Sequence, residues 1–335
     1  MQAKRNIGLD VIKVVACCFV VASHTIRPGF GFANLVVFSL AIIAIPCFFM
    51  VNGYLMFQKQ TVTYAYIWKK IIRILVVCFS WEALHAVVYW LYYHQFRNFL
   101  ESFLFDFLQK GLFFHFWFMG SLMILYLLLP ILRWIYEKNE AVYIGILIGL
   151  GIICSAMNLI MIVTKNLYVL EIPQSLRLWY WLFYYMLGGL LAKRKIKIQI
   201  IIDRCSFAMK ITALVTAIAL LIGWQWLIGN VVLKQYKIEI FYGSIPIMAV
   251  VTIVFVCILN VKFHREKTIT YLANLSMGIY VIHPFVLAVF QKYVPAFVSG
   301  KATMNLLFWI ATVIACGVIA AILNKISMVK ELTKL

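Results

Sequence analysis

The sequence predicts an all-α fold, a polytopic membrane bundle of about ten transmembrane helices with both termini in the cytoplasm. Of its 335 residues, 65% are hydrophobic and 12% are charged, whereas a soluble domain is about half apolar and a quarter charged. The apolar residues form runs of about 20, the length that crosses a bilayer as a helix. Most basic residues lie at the ends of these runs. Composition and patterning thus exclude an ordinary soluble domain.

Ten apolar segments are predicted to span the membrane. They cover residues 8–27, 34–57, 71–93, 113–133, 141–163, 177–192, 209–229, 240–260, 271–290 and 303–324. No soluble domain or linker separates them, so we predict a single domain over residues 1–335. The first segment follows a basic N-terminus, as in a signal peptide, but Asp10 and Lys13 interrupt its apolar run. We therefore predict that it is a retained first helix.

The distribution of lysine and arginine predicts the orientation. With the N-terminus inside, the inner segments carry 20 of these residues and the outer segments 9, and cytoplasmic loops are enriched in them. This topology accounts for the net charge of +19, and because no nucleic-acid motif is present we expect no nucleic-acid partner. The eight cysteines form no CxxC pair, so we expect neither a disulfide framework nor a metal site.

The first predicted helix carries ionisable residues, which are costly inside a membrane and are therefore candidates for function. Lys13 and His24 are eleven residues apart, which places them within about 20° of one helix face and about 16 Å apart along the axis. Asp10 lies on the same face. Cys17 lies between Lys13 and His24, and packing is its preferred interpretation over an acyl-carrier role.

The third predicted helix begins with a basic cluster and continues with a buried acidic residue. Lys69, Lys70 and Arg73 lie at its inner end, where lipid headgroups are the alternative partners to a ligand. Glu82 and His85 follow on one face, and a structural ion pair is the alternative interpretation of Glu82. The connection 94–112 is interpreted as an amphipathic connector at the interface, with a lid over a site as the alternative.

Two further histidines join these candidates: His115 of the fourth predicted helix and His283 of the ninth, which Pro284 follows. Together the candidates define two zones. The inner zone suits a phosphorylated ligand and contains Lys13, Lys69, Lys70 and Arg73. The outer zone suits general acid–base chemistry and contains His24, Glu82, His85, His115 and His283. A long donor lying between the zones would connect them.

Four segments carry a family resemblance over essentially the whole chain. They are Arg5–Lys13 with His24 after ten further residues, Pro46–Tyr54 (PCFFMVNGY), Phe116–Tyr126 with Pro130, and Ser276–Pro284 (SMGIYVIHP). They resemble the acyltransferase 3 family of bacterial integral membrane acyltransferases, which includes O-acetyltransferases. Lys70 and Arg73 resemble the basic pair of that family, with Lys in place of Arg, and Asn52 stands where the family usually has Ser.

The resemblance implies an acyl-CoA donor, usually acetyl-CoA, taken from the cytoplasm, and a hydroxyl acceptor on a cell-surface or lipid-linked glycan. By position it implies that Lys13 and His24 take part in donor binding and catalysis, and that Lys70 and Arg73 bind donor phosphates. The expected location is the cytoplasmic membrane, so lipid is an expected partner, and no metal is expected.

We predict direct transfer, with His24 as general base and with Glu82 or a second histidine to orient it. His283 is the competing candidate for the base, and an acyl-enzyme relay is the alternative to direct transfer. A membrane transporter or exporter of a solute or glycan intermediate is the main rival function, because intramembrane ionisable residues also mark transport paths. A non-catalytic membrane scaffold is the third.

Overall fold

A computed structural model describes residues 5–261, 264–298, 300–327 and 329–333. These residues form helices and connecting turns, with no strand among them. The α-helices are α1 (Ile7–Thr25), α2 (Phe32–Ala41), α3 (Ala44–Phe57), α4 (Tyr64–Tyr93), α5 (Phe99–Asp106), α6 (Trp117–Lys138), α7 (Glu140–Thr164), α8 (Leu178–Lys193), α9 (Lys195–Arg204), α10 (Phe207–Trp226), α11 (Ile245–Leu259), α12 (Glu266–Tyr293) and α13 (Ala302–Leu323). The predicted all-α class is confirmed. Lys4, Lys262 and Lys334 of the charge count lie outside the described residues.

Eight helical segments in the described part of the chain are long and apolar enough to cross a membrane. They are Ile7–Thr25, Phe32–Phe57, Tyr64–Tyr93, Phe114–Lys138, Glu140–Thr164, Phe207–Val232, Glu266–Tyr293 and Ala302–Leu323. The predicted spans 177–192 and 240–260 form the shorter helices α8 and α11. A multi-pass membrane bundle is therefore confirmed, whereas the number ten and the cytoplasmic termini stay predictions.

Helix α1 lies inside the bundle and packs against α2, α3, α11, α12 and α13. Gly8 of α1 allows α11 to pass close to the α1 backbone. A Cβ at this position would lie 2.7 Å from the carbonyl oxygen of Ile258. Asp10, Cys17 and Thr25 of α1 are all buried. Polar side chains on this one helix are therefore presented to the protein interior at several depths.

Helices α3 and α8 cross with their backbones in contact. A Cβ at Gly53 would overlap the carbonyl oxygen of Tyr185, and one at Gly188 would overlap that of Met50. Small residues allow this close approach, which is the common way for helices to associate in a membrane, where apolar burial gives little driving force. Near this crossing Tyr54 of α3 is fully buried and Asn52 is partly buried.

The connection between α4 and α6 contains the short helix α5. Asn98 caps its N-terminus, because its side-chain oxygen accepts a hydrogen bond from the backbone N–H of Glu101 at 3.3 Å. Leu100 and Leu104 are exposed, whereas Asp106 at the last turn is buried. An exposed apolar face is compatible with a position at the membrane interface, and both the amphipathic connector and the lid stay predictions.

Candidate active site

Two cavities lie along α1, one toward each of its ends. The first, here called the basic pocket, has a volume of about 490 Å³ and its polar lining residues are Arg5, Lys13, Asn52, Lys70, Arg73, Tyr126, Asn274, Ser276, Tyr280 and Thr333. The second, the histidine pocket, has a volume of about 340 Å³ and is lined by Ser23, His24, Gln109, His115, Trp117, Gln174, Tyr236, Lys237, Glu239, Tyr242 and Tyr280, among others. Both volumes are typical of small-molecule sites.

The two pockets meet at Phe118 of α6 and Tyr280 of α12, which line both. The centroids of these two rings are 5.9 Å apart. Lys13 and His24, which the sequence predicts on one face of α1, line the basic pocket and the histidine pocket respectively. An extended ligand that enters the basic pocket along α1 would therefore present its far end at these two rings, beside the histidine pocket.

A buried carboxylate, that of Asp10, positions two of the cations that line the basic pocket. Asp10 is 2% exposed and forms ion pairs with Arg5 at 2.5 Å and with Lys13 at 3.7 Å. Arg5 also donates to the side-chain oxygen of Asn274 of α12 at 3.0 Å. One acid therefore positions two cations at the mouth of the pocket, and the pocket keeps a net positive charge.

Two residues of the basic cluster of α4 line the basic pocket, and the third lies on the surface. Lys70 and Arg73 are three residues apart and share a helix face, and both line the pocket. Lys69 is about 100° away around the helix, is exposed, and is absent from the described lining residues. Lys70 forms no salt bridge with any described residue, whereas Arg73 pairs with Glu331 at 2.8 Å.

The segment Lys330–Thr333 folds back onto the basic pocket beside α4. Trp81 donates its indole N–H to the carbonyl oxygen of Leu332 at 3.0 Å. Thr333 is fully buried and lines the pocket, and Glu331 pairs with Arg73. This segment thus forms one wall of the pocket and supplies a carboxylate to a cation that the sequence predicts as a phosphate ligand.

Three histidines from three helical segments meet at the second pocket. The ring centroids of His24 and His283 are 5.3 Å apart, and those of His283 and His115 are 4.8 Å apart. His24 and His115 line the pocket, whereas His283 is fully buried behind them. The sequence places these histidines at one depth, and the structure brings them into contact.

Pro284 explains how His283 is oriented. Proline has no backbone N–H, so the carbonyl of the residue four positions earlier, Tyr280, loses its helical hydrogen bond. The Nδ1 atom of His283 lies 2.6 Å from that carbonyl oxygen. A carbonyl only accepts hydrogen bonds, so Nδ1 is the donor and, in the neutral ring, Nε2 carries the lone pair. Nε2 has no partner among the described residues.

His115 is fixed by its backbone and leaves both ring nitrogens unused. It lies in the 3-10 segment Phe114–Phe116, and its carbonyl accepts a hydrogen bond from the hydroxyl of Tyr280. Just before this segment, the N–H of Phe113 donates to Asp106 at 3.1 Å. Neither ring nitrogen of His115 has a partner in the described part of the chain, although buried polar atoms normally have one.

The family model described as an acyltransferase domain, the acyltransferase 3 family, matches residues 6–325. The chain belongs to this family. The comparisons with curated proteins and with solved structures give no match. The matched range covers every helix from α1 to α13, so the acyltransferase domain is the whole bundle.

In this acyltransferase, Glu82 is paired with His85 and not with a histidine of the pocket. Glu82 is buried, and its carboxylate lies 3.2 Å from Nδ1 of His85. The ring of Phe113 contacts both this pair and the pocket, since its centroid lies 5.9 Å from that of His85 and 5.7 Å from that of His115. The predicted role of Glu82 in orienting His24 therefore stays a prediction, without a contact between them in the described structure.

Asp106 lies next to this pair, at the end of α5. Burial first, and then the nearby carboxylate of Glu82, raise the pKa of Asp106 to about 8. Two buried carboxyl groups so close cannot both be ionised at little cost, so Asp106 holds its proton at neutral pH. It can then share that proton with Glu82 while still accepting from the N–H of Phe113.

The sequence did not single out the polar residues that complete the histidine pocket. Gln109, Gln174, Lys237 and Glu239 come from three connecting segments, where no helical period predicts which side chains meet. Arg5 of the basic pocket begins the first segment that carries the family resemblance, but the resemblance implies no role for it. The sequence does contain an indication of its role: Asp10 lies within a predicted membrane span, and a buried carboxylate requires a cationic partner such as Arg5.

Proposed function

We propose that this acyltransferase transfers an acyl group, typically acetyl, from cytoplasmic acyl-CoA to a hydroxyl group of a cell-surface or lipid-linked glycan. The observation that supports this most is the pair of pockets that meet at Phe118 and Tyr280. One pocket carries cations suited to phosphates, and the other carries His24. A transferase that joins a donor and an acceptor from opposite sides of a membrane needs both.

The donor is proposed to bind in the basic pocket. Lys70 and Arg73 bind its phosphates, with Arg5 and Lys13 as further cations along the path. The pantetheine arm then follows α1, whose Lys13 and His24 are about 16 Å apart along the axis. This direction brings the thioester to Phe118 and Tyr280. Lys69, which is exposed, is proposed to contact lipid headgroups instead.

The transfer is proposed to be direct. His24 accepts the proton of the acceptor hydroxyl while the hydroxyl oxygen attacks the carbonyl carbon of the thioester. The new C–O ester bond forms, the C–S bond breaks, and the proton passes from His24 to the departing thiolate to give free coenzyme A. His24 is proposed as the base because it lines the pocket, whereas His283 is fully buried behind it.

The sidedness of the reaction follows from the proposed topology, in which both termini and the basic pocket face the cytoplasm. It is supported by the excess of basic residues in the predicted inner segments. A reporter fused after Leu335 should be active only if it is of the kind that works in the cytoplasm. Activity of a periplasm-dependent reporter at this position would reverse the assignment of the two pockets.

Acceptor-dependent release of coenzyme A tests the proposed activity. The purified protein is incubated with acetyl-CoA and with envelope glycans from a strain that lacks the protein, and free thiol and glycan-bound acetyl groups are measured. We expect both to rise together. Transport of a solute or glycan without thioester cleavage would instead support the transporter.

A further inference from the structure

The histidine pocket contains polar side chains that the acyl-transfer step does not require. Gln109, Gln174 and Glu239 line it from three different connecting segments. The side chains of Gln109 and Glu239 are held by a backbone N–H and by a buried arginine respectively, and Gln174 is held through its own backbone. A proton transfer at His24 needs none of them, so their arrangement calls for a separate explanation.

Gln109 and Gln174 are coupled through a backbone hydrogen bond. Gln109 has a φ of 64°, which is uncommon for a residue with a side chain, and its side-chain oxygen accepts from the backbone N–H of Gln174 at 2.7 Å. The backbone carbonyl of Gln174 in turn accepts from the indole N–H of Trp181 at 2.6 Å. The backbone of Gln174 is thus fixed from both sides, independently of its own side chain.

The side chain of Gln174 is buried, and one of its polar atoms has no hydrogen-bond partner among the described residues. The residue is 5% exposed, and its Oε1 atom has no partner among the described residues. A buried polar group without a partner is costly, so nearly all such groups are paired in proteins. Because Gln174 lines the pocket, a hydrogen-bond donor inside the pocket would complete it.

Glu239 is oriented by a buried arginine. Arg177 is 1% exposed, forms an ion pair with the Glu239 carboxylate at 2.7 Å, and donates from Nε to the carbonyl of Ile172 at 2.7 Å. Glu239 is only partly covered, and it lines the pocket. The carboxylate therefore faces the cavity with its charge already balanced, ready to accept hydrogen bonds from hydroxyl groups.

We propose that Gln174 and Glu239 form a subsite that recognises the sugar ring of the acceptor, an inference that rests on the proposed function. The two side chains bind hydroxyl groups next to the one that attacks the thioester. The apolar surface for the ring comes from Trp117, Tyr236 and Tyr242, which line the same pocket. A few fixed polar groups on an aromatic wall are typical of sites that select a small polar ligand.

Surrogate acceptors test this subsite. Release of coenzyme A from acetyl-CoA is measured in detergent with a panel of methyl hexosides and with ethanol at the same concentration of hydroxyl groups. We expect at least one hexoside to react faster than ethanol. Gln174→Met, which keeps the volume and removes the amide, should reduce this advantage by about 2- to 10-fold, the value of one neutral hydrogen bond. The advantage is the ratio of the hexoside rate to the ethanol rate for the same variant.

Two further variants complete the design. Glu239→Gln keeps an acceptor for Arg177 but removes the charge, and should also reduce the hexoside advantage. Gln291→Met is the matched control, because this residue is exposed near the end of α12 and is not among the described lining residues. It should behave like the parent protein. Equal thermal stability in detergent shows that each variant is folded.

Two results would overturn the subsite. Either no hexoside reacts faster than ethanol, or folded Gln174→Met and Glu239→Gln both keep the full hexoside advantage. Failure to release coenzyme A with any acceptor, including the envelope glycans, would overturn the proposed function itself and the subsite with it.

Discussion

Replacing Lys70 by glutamine tests whether the basic pocket binds donor phosphates. Lys70 lines the pocket and forms no salt bridge with any described residue. Its ammonium group can therefore bind a ligand without breaking an existing ion pair. Lys69 is its neighbour in sequence but is exposed and outside the described lining. The pair therefore allows one charge change to be compared inside and outside the pocket.

The expected size of the effect follows from the type of bond. A hydrogen bond to a charged group contributes about 1.5–3 kcal/mol, and about 1.4 kcal/mol corresponds to a factor of ten in affinity. Lys70→Gln should therefore raise the dissociation constant of acetyl-CoA by about 10- to 150-fold. Lys69→Gln, which changes the same charge on the neighbouring helix face, should leave the dissociation constant within about twofold, since exposed charges contribute little.

Isothermal titration calorimetry on the purified proteins, without acceptor, measures the donor dissociation constant directly. Raising the salt concentration should weaken donor binding to the parent protein, because ions screen charges near the surface. Lys70→Gln should respond less to salt than the parent. Equal affinities for the two lysine variants would refute the reasoning, since the position of the charge relative to the pocket would then not matter.

Three further predictions concern Glu331 beside the basic pocket, Asp106 next to the Glu82–His85 pair, and the crossing of α3 and α8. Glu331→Gln frees Arg73 from an exposed ion pair worth about 0–1 kcal/mol and should tighten donor binding by up to about fivefold; weaker binding would show that Glu331 positions Arg73. The folded pKa of Asp106, about 8, lies above its ordinary value of 3.8, so parent stability should fall as the pH rises toward about 8, and Asp106→Asn should flatten this decline in thermal inactivation assays. Gly188→Ala puts a methyl group against a backbone carbonyl and should cost about 1–3 kcal/mol or more. Gly145→Ala places its methyl group in open space and should unfold in detergent at the parent temperature or above it, because alanine favours a helix interior over glycine by up to about 1 kcal/mol.

Helical periodicity explains what the sequence could predict. Lys13 and His24 share a face because eleven residues make about three turns, and the structure places them in the two adjoining pockets. His283 shares a helix face with Tyr280, three residues earlier, for the same geometric reason, and Pro284 follows it directly in the sequence. In each case the residues that share a face belong to one helix, so their relative position can be predicted without knowing which helices are neighbours.

The remaining features depend on which helices and loops are neighbours. Periodicity places Glu82 in the interior but does not reveal that the ring of Phe113 contacts both its partner His85 and His115 of the pocket. The three residues Gln109, Gln174 and Glu239 come from separate connections and meet only in the folded chain. The pairing of Arg73 with Glu331 joins residues 258 positions apart, a distance over which no local pattern operates.

The central claim, that His24 of the histidine pocket is the base, is tested most directly by comparing His24→Gln with His283→Gln in acceptor-dependent acyl transfer. Glutamine keeps the volume and hydrogen bonding of the side chain but does not accept the proton. We expect His24→Gln to lose about 10²- to 10⁴-fold in transfer rate, with membrane accumulation and acetyl-CoA binding unchanged, and His283→Gln to lose less. If His24→Gln keeps most of its activity and His283→Gln loses it, the base is His283 and His24 is structural.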